Sequence, residues 1–389
     1  MERKKRMMNL AIANLFLVFV GVGLVIPVLP PLKEQMGFSG ATMGMMISIF
    51  ALAQLIASPI TGALSDKIGR KKLIALGMLV FSFSELLFGL AQIKSDFYIS
   101  RALGGVAAAM IMPSVSAYVA DLTTIAERPK AMGLVSAAIS GGFIIGPGIG
   151  GFIATFGIRV PFYGAAFLAF AGFIFTLAIL KEPERPIVAD RTLARVSFLE
   201  ILKNPLFSSI FLIILISSFG LQAFESIYSI MATINFGFTM NEIALVITVS
   251  GILALIFQLF LFDPIVGKIG ELRLIQLTFF VSAIFIGLIA FAKQNLVVAL
   301  ATFVVFLAFD LFRPAVTTYL SKHAGNRQGA INGLNSTFTS FGNILGPLIS
   351  GALFDFNHLF PYYVSAITLL ATGFLSLLMT KKVKIKAIL

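Results

Sequence analysis

Residues 133–151 read GLVSAAISGGFIIGPGIGG, and residues 333–351 read GLNSTFTSFGNILGPLISG. Sliding the chain by 200 residues lays Gly133, Leu134, Ser136, Gly146, Pro147 and Gly151 on Gly333, Leu334, Ser336, Gly346, Pro347 and Gly351. One more position of shift places PSVSAYVAD, from Pro113, over PAVTTYLSK, from Pro314. Self-similarity at a fixed offset marks repeated architecture. The chain therefore reads as two parallel copies of one unit, an arrangement in which the repeats enclose a midplane site.

The solvent of that fold follows from composition. Of 389 residues, 58% are hydrophobic and 12% charged, and the mean hydropathy is +1.00, against roughly 45–50% apolar and about 25% charged in soluble domains. Runs of the roughly 20 apolar residues needed to cross hydrocarbon recur along the chain. Punctuated by Gly, Pro and charge, they fall near 9–30, 41–63, 73–92, 97–120, 131–155 and 160–180, then 206–233, 240–262, 272–292, 295–320, 328–354 and 360–380. The expected fold is all-α and integral to the membrane, with twelve spans. One six-helix bundle occupies 1–181, a linker 182–205 and a second bundle 206–389. The first apolar run is too long for a signal peptide and is expected to remain as a span.

A net charge of +12 invites a nucleic-acid reading, but its distribution argues otherwise. Twenty-three of the 29 Lys and Arg residues fall at the amino terminus, in even-numbered loops and in the tail; four fall in odd-numbered loops. Basic residues are retained on the cytoplasmic side of short loops. Both termini and the middle loop are thus expected inside the cell, in a multi-pass plasma-membrane protein with lipid, not nucleic acid, as its surroundings. Absence of cysteine excludes disulfides and thiolate chemistry. His323 and His358 have no partner at metal-ligand spacing, so no metal site is expected.

Two strings carry more than topology. GALSDKIGRKK, Gly62 to Lys72, lets Asp66 pair with Arg70 or cap a helix, with Gly62 and Gly69 allowing close approach and a tight turn. A weaker copy, DPIVGKIG, begins at Asp263. In the fifth span Gly142, Gly146 and Gly150 lie four apart, which flattens one helix face. Pro147 cannot donate to the carbonyl of Phe143 and adds a bend. Gly146, Gly148 and Gly151 also satisfy GxGxxG, but without the preceding strand and exposed helix start that dinucleotide binding needs.

These strings resemble the signature loop and the antiporter motif of the major facilitator superfamily. GVGLVIPVLP, from Gly21, and SRALGGVAAAM, from Ser100, resemble its drug:proton antiporter branch, as do GLQAFESIYS, from Gly220, and AFDLFRPAVTTY, from Ala308. The resemblance implies a cytoplasmic latch at Asp66 and Arg70, exchange rather than co-transport from the helix of Gly142, Gly146, Pro147 and Gly150, and proton coupling at Arg101. It also implies a substrate cavity built from Phe16, Phe50, Gln54, Phe143, Phe306, Asn335, Thr339 and Ser340. Forty Phe and 14 Met would supply adaptable surface for planar cations.

Charges inside spans cost about 2.5–3.5 kcal/mol each on insertion scales and are functional hypotheses by default. Glu225 and Asp310 lie deep in second-half spans among apolar neighbours and are the proton-carrier candidates. Arg313 shares a helix face with Asp310, and Pro314 frees the Asp310 carbonyl. A structural Asp310–Arg313 ion pair is the alternative. Arg101 either pairs with a first-half acid or faces the cavity. Asp121 and Asp355 suit interfacial or capping roles, and Glu85 is open between packing and function. The expectation is a monomeric, cofactor-free exporter of hydrophobic cationic drugs driven by a proton gradient. An exporter of one metabolite uses the same scaffold; a membrane enzyme lacks a nucleophile with a positioned base.

Overall fold

A computed structural model describes residues 2–124, 126–183, 198–324 and 328–388. Most of the expected linker, and the basic residues Arg185, Arg191, Arg195 and Arg327, lie outside the described residues. In hydrocarbon every backbone N–H and C=O must find a partner within the segment, which selects helices. All regular structure among the described residues is helical.

The elements are α1 (Glu2–Met36), α2 (Gly40–Ile68), α3 (Arg70–Leu90), α4 (Lys94–Leu122), α5 (Arg128–Ala154), α6 (Val160–Ile179), the short α7 (Phe198–Lys203), α8 (Pro205–Phe236), α9 (Met240–Phe260), α10 (Phe262–Ile269), α11 (Glu271–Phe291), α12 (Asn295–Ala324), α13 (Gln328–Phe356) and α14 (Phe360–Ile388). Eleven of these are long and apolar enough to cross a membrane. The expected span at 328–354 forms the continuous helix α13, but Asn332, Asn335, Ser336, Thr337, Thr339, Ser340 and Asn343 make it too polar to count by hydropathy.

The chain divides into two compact units: Met1–Phe38, Met45–Asp190 and Met240–Leu245 form the first, and Ser39–Gly44, Arg191–Thr239 and Val246–Leu389 the second. In the first unit α5 lies close along α1, with the glycine face of α5 against the α1 backbone. A methyl at Gly142 would lie 2.6 Å from Phe19 Cβ and 2.9 Å from Phe16 O; one at Gly146 would lie 2.7 Å from Val20 O. Ser84 and Ser100 exchange 2.8 Å hydroxyl-to-carbonyl bonds between α3 and α4.

The second unit repeats the device. A methyl at Gly342 would lie 2.7 Å from Phe219 N, and one at Gly346 would lie 2.8 Å from Gln222 Cβ. Gly142 against Phe19 and Gly342 against Phe219 are the same contact 200 residues apart. The turns repeat as well, with Gly69 at φ 109° before α3 and Gly270 at φ 81° before α11, a region side chains with a Cβ avoid. Within this unit Asp355, at the end of α13, accepts from Gly40 N at 2.6 Å and Ala41 N at 2.9 Å, capping the start of α2. Asp355 thus takes a capping role at a helix N-terminus.

Adding a methyl at Gly142 must displace α1 backbone, whereas Gly133 has open space around it. Gly142→Ala should lower the thermal midpoint in detergent, with overpacking costing about 1–3 kcal/mol. Gly133→Ala should leave that midpoint unchanged or slightly raised when melting is followed by circular dichroism.

Candidate functional site

At the sequence-flagged loop of the first unit, Arg70 ties three segments together. It pairs with Asp66 at 2.6 Å and Asp121 at 3.4 Å, and donates to Ser65 Oγ at 3.0 Å. Asp121, expected as an interfacial group, is thus the α4 end of this knot. Glu182, which sequence reading did not nominate, accepts from Arg70 N at 2.6 Å and Lys71 N at 3.0 Å and caps α3. Gly69 leaves room for that carboxylate: a methyl there would lie 2.7 Å from Glu182 Oε2. In the second unit's weaker copy, Asp263 lies in the first turn of α10, and Glu271 pairs with Lys322.

Arg101 and Glu85 occupy the interior of the first unit. Arg101 Nη2 meets Glu85 Oε1 at 3.2 Å, and the guanidinium lies 4.5 Å from the Phe88 ring centroid. Both side chains are buried, at 5% and 1% exposure. Of the two sequence alternatives for Arg101, the structure selects pairing with a first-half acid. The contact is end-on, leaving Glu85 Oε2 and Arg101 Nε without a hydrogen-bond partner.

The second unit brings Glu225, Asp310 and Arg313 together. Glu225 on α8 is half-buried and accepts from Gln222 Nε2 at 2.8 Å, one turn earlier. Asp310 and Arg313, both on α12, act electrostatically on Glu225, and Arg313 acts on Asp310. None of these three joins an ion pair within 4 Å among the described residues, and Arg313 is exposed. The group is thus a loose charge cluster rather than a locked bridge. Gly346 of α13 sits on Gln222, so the glycine face positions the residue that holds Glu225.

The candidate cavity residues divide between the units. In the first, half-buried Phe16 lies against Gly141, and Phe143, 38% exposed, meets Phe19 at 4.9 Å between ring centroids. The half-buried Phe50 ring lies over Gly104, and Gln54 is half-buried one turn on. In the second, Phe306 packs on Phe224 at 5.9 Å and Tyr228 at 5.8 Å, beside Glu225. Asn335, Thr339 and Ser340 are half-buried along α13. Phe224, the ring that also meets Phe309 and Tyr362, was not nominated from sequence. A cleft of 480 Å³ bordered by Lys4, Lys5, Met8, Glu127 and Lys130 contains none of the nominated residues.

The family model of the Major Facilitator Superfamily matches residues 11–234 and 210–388. The chain belongs to the Major Facilitator Superfamily. Multidrug resistance protein 2 of Bacillus subtilis (strain 168) is 48% identical over 368 residues, covering 93% of this chain and 92% of that protein. Quinolone resistance protein NorA of Staphylococcus aureus (strain COL) is 40% identical over 352 residues, covering 90% and 91%. Among solved structures, the nucleoside transporter NupG superposes with a TM-score of 0.80 over 98% of this chain and 99% of that one at 16% identity, a likeness of fold alone. The superfamily assignment accounts for the repeat and for the multi-pass helical architecture in one stroke.

Removing one partner of a buried ion pair leaves an uncompensated charge and costs about 3–5 kcal/mol, while apolar replacement of both is often neutral. Glu85→Leu alone should therefore depress the detergent melting midpoint strongly, and Glu85→Leu with Arg101→Leu should recover most of the loss. Gradient-driven transport by the recovered double variant then reports whether Arg101 serves coupling or architecture.

Proposed function

We propose that this member of the superfamily exports hydrophobic, often cationic compounds in exchange for protons by alternating access, with both termini and the middle loop in the cytoplasm. The orientation follows from the basic loops. The substrate class is carried over from relatives named for multidrug and quinolone resistance, which match across nine-tenths of this chain or more. The chain functions as a monomer, with drugs, protons and lipid as its partners and no bound cofactor.

The observation that carries proton coupling is the Glu225–Asp310–Arg313 cluster. Two half-buried carboxyl groups lie within electrostatic reach of one exposed cation, and no ion pair among the described residues fixes either acid. Desolvation favours the neutral carboxylic acid and the nearby guanidinium favours the carboxylate. Water access and cation position therefore control proton uptake. A drug cation entering beside the half-buried Phe306 ring gains ring-face attraction and competes with protons for the same negative charge. Inward movement of each proton down the membrane potential releases about 2.3 kcal/mol per 100 mV. Two protons through Glu225 and Asp310 outweigh one monovalent cation leaving.

Arg70 and its carboxylate partners supply the latch that restrains α2 against α3 and α4 while the bundles rock. The bent, methyl-free contact of Gly142, Gly146, Pro147 and Gly150 lets α5 move with α1 as one body.

Uphill dye efflux from proteoliposomes under an imposed pH gradient tests the coupling. The Glu225→Gln, Asp310→Asn double variant should lose gradient-driven efflux while still binding dye in detergent. Efflux undiminished in that variant would refute the assigned roles.

A further inference from the structure

In the second unit Tyr228 and Ser229 of α8 and Tyr362 and Ser365 of α14 are buried, and their hydroxyl oxygens have no hydrogen-bond partner among the described residues. The two helices pack together. The Tyr228 and Tyr362 rings flank Phe224 at 5.7 and 5.2 Å between centroids. Thr302 of α12 lies beside the Tyr228 hydroxyl, outside hydrogen-bond geometry, and donates its own proton to Val298 O at 2.7 Å.

Four buried hydroxyls on two packed helices are costly as packing, because Phe and Ala fill the same space without polar atoms and an orphaned hydroxyl loses its hydration with no bond in exchange. Buried polar groups are normally satisfied by protein or by ordered water. The hydroxyls are also placed directionally. Tyr228 follows Glu225 by three residues and Ser229 by four, which puts them on the helix face of Glu225. At 1.5 Å per residue, Tyr228 lies about 12 Å and Glu225 about 16 Å from the α8 end at Phe236. Thr302 lies about 10 Å from the α12 start at Asn295, and Tyr362 is in the first turn of α14. These helix ends face the side opposite the basic loops.

The geometry points to a hydroxyl lane, Tyr362–Tyr228–Thr302 with Ser229 and Ser365 alongside, that holds water and carries protons between the outer ends of α8, α12 and α14 and Glu225. This rests on proton coupling at Glu225. A proton carried in by lane water bonds to the buried Tyr362 oxygen as that hydroxyl passes its own proton on. Successive O–H bonds form and break through water and Tyr228 until the last proton neutralises the Glu225 carboxylate. Rotation of each hydroxyl resets the lane, and no group is consumed. Asp310 and Arg313, which act on Glu225 from α12, set when the proton leaves again.

The test is Tyr228→Phe with Tyr362→Phe, which keeps both rings and removes both hydroxyls, in full-length protein reconstituted with ethidium as substrate. Gradient-driven ethidium transport should slow by about tenfold or more. Ethidium exchange without a pH gradient, which needs no net proton movement, should keep its rate. Unslowed gradient-driven transport overturns the lane, as does equal slowing of both modes, which marks packing damage. Should the double variant fail to fold, Tyr228→Phe alone carries the same readings. Glu225→Gln is assayed beside it. If that variant keeps gradient-driven transport, coupling at Glu225 fails and the lane with it; if that variant loses it while the tyrosine variant does not slow, the lane alone falls.

Discussion

The constraint on which each bundle depends is the approach of α5 to α1, and of α13 to α8, at distances no methyl group tolerates. Helix association in lipid lacks the hydrophobic drive available in water and depends on close van der Waals contact between small residues. Gly142 and Gly146 meet that demand in the first unit, Gly342 and Gly346 in the second. What depends on the contact is functional as well as mechanical. α8 carries Gln222 and Glu225, and the surface of α13 that touches Gln222 is glycine. Widening that seam would move the carboxylate relative to Asp310 and Arg313 on α12.

Two groups of buried charge show opposite solutions to one cost. Glu85 and Arg101 neutralise each other inside the first unit, enclosed on all sides and stacked on Phe88. Such a pair is hard to open, because either charge alone would be stranded. Glu225 and Asp310 are instead half-buried, Arg313 is exposed, and none of the three joins an ion pair within 4 Å among the described residues. In the proposed exchange, protonation there changes the charge of the site without opening an ion pair. Buried hydroxyls one turn from Glu225 extend the polar interior toward one end of the bundle.

Much of this was legible in the sequence because it is local or repeated. The 200-residue offset, the glycine spacing, the turn at Gly69 and the pairing of Asp66 with Arg70 all lie within a few residues of their signals. The i, i+3 spacing of Asp310 and Arg313, and of Gln222 and Glu225, could be read from helix periodicity alone. What escaped is the long-range chemistry. Glu182 caps α3 from 112 residues away, Asp355 caps α2 from 315 away, and Glu85 and Arg101 meet across α3 and α4. Each is an ordinary polar residue in its own window and acquires meaning only through packing. α13 was expected as one more apolar span, yet its polar side leaves it outside the hydropathy threshold. Tyr228 and Tyr362 were hidden among forty-seven Phe and Tyr residues, since nothing in a sequence distinguishes a hydroxyl with a partner from one without.

Each compact unit contains a short piece of the other half: residues 240–245 are grouped with the first, and residues 39–44 with the second. The two pieces stand 201 residues apart, at the starts of α2 and α9, the same offset that lays Pro113 on Pro314. Residues 39–44 and 240–245 are thus equivalent positions of the repeat, and a substitution made at one has its natural control at the other.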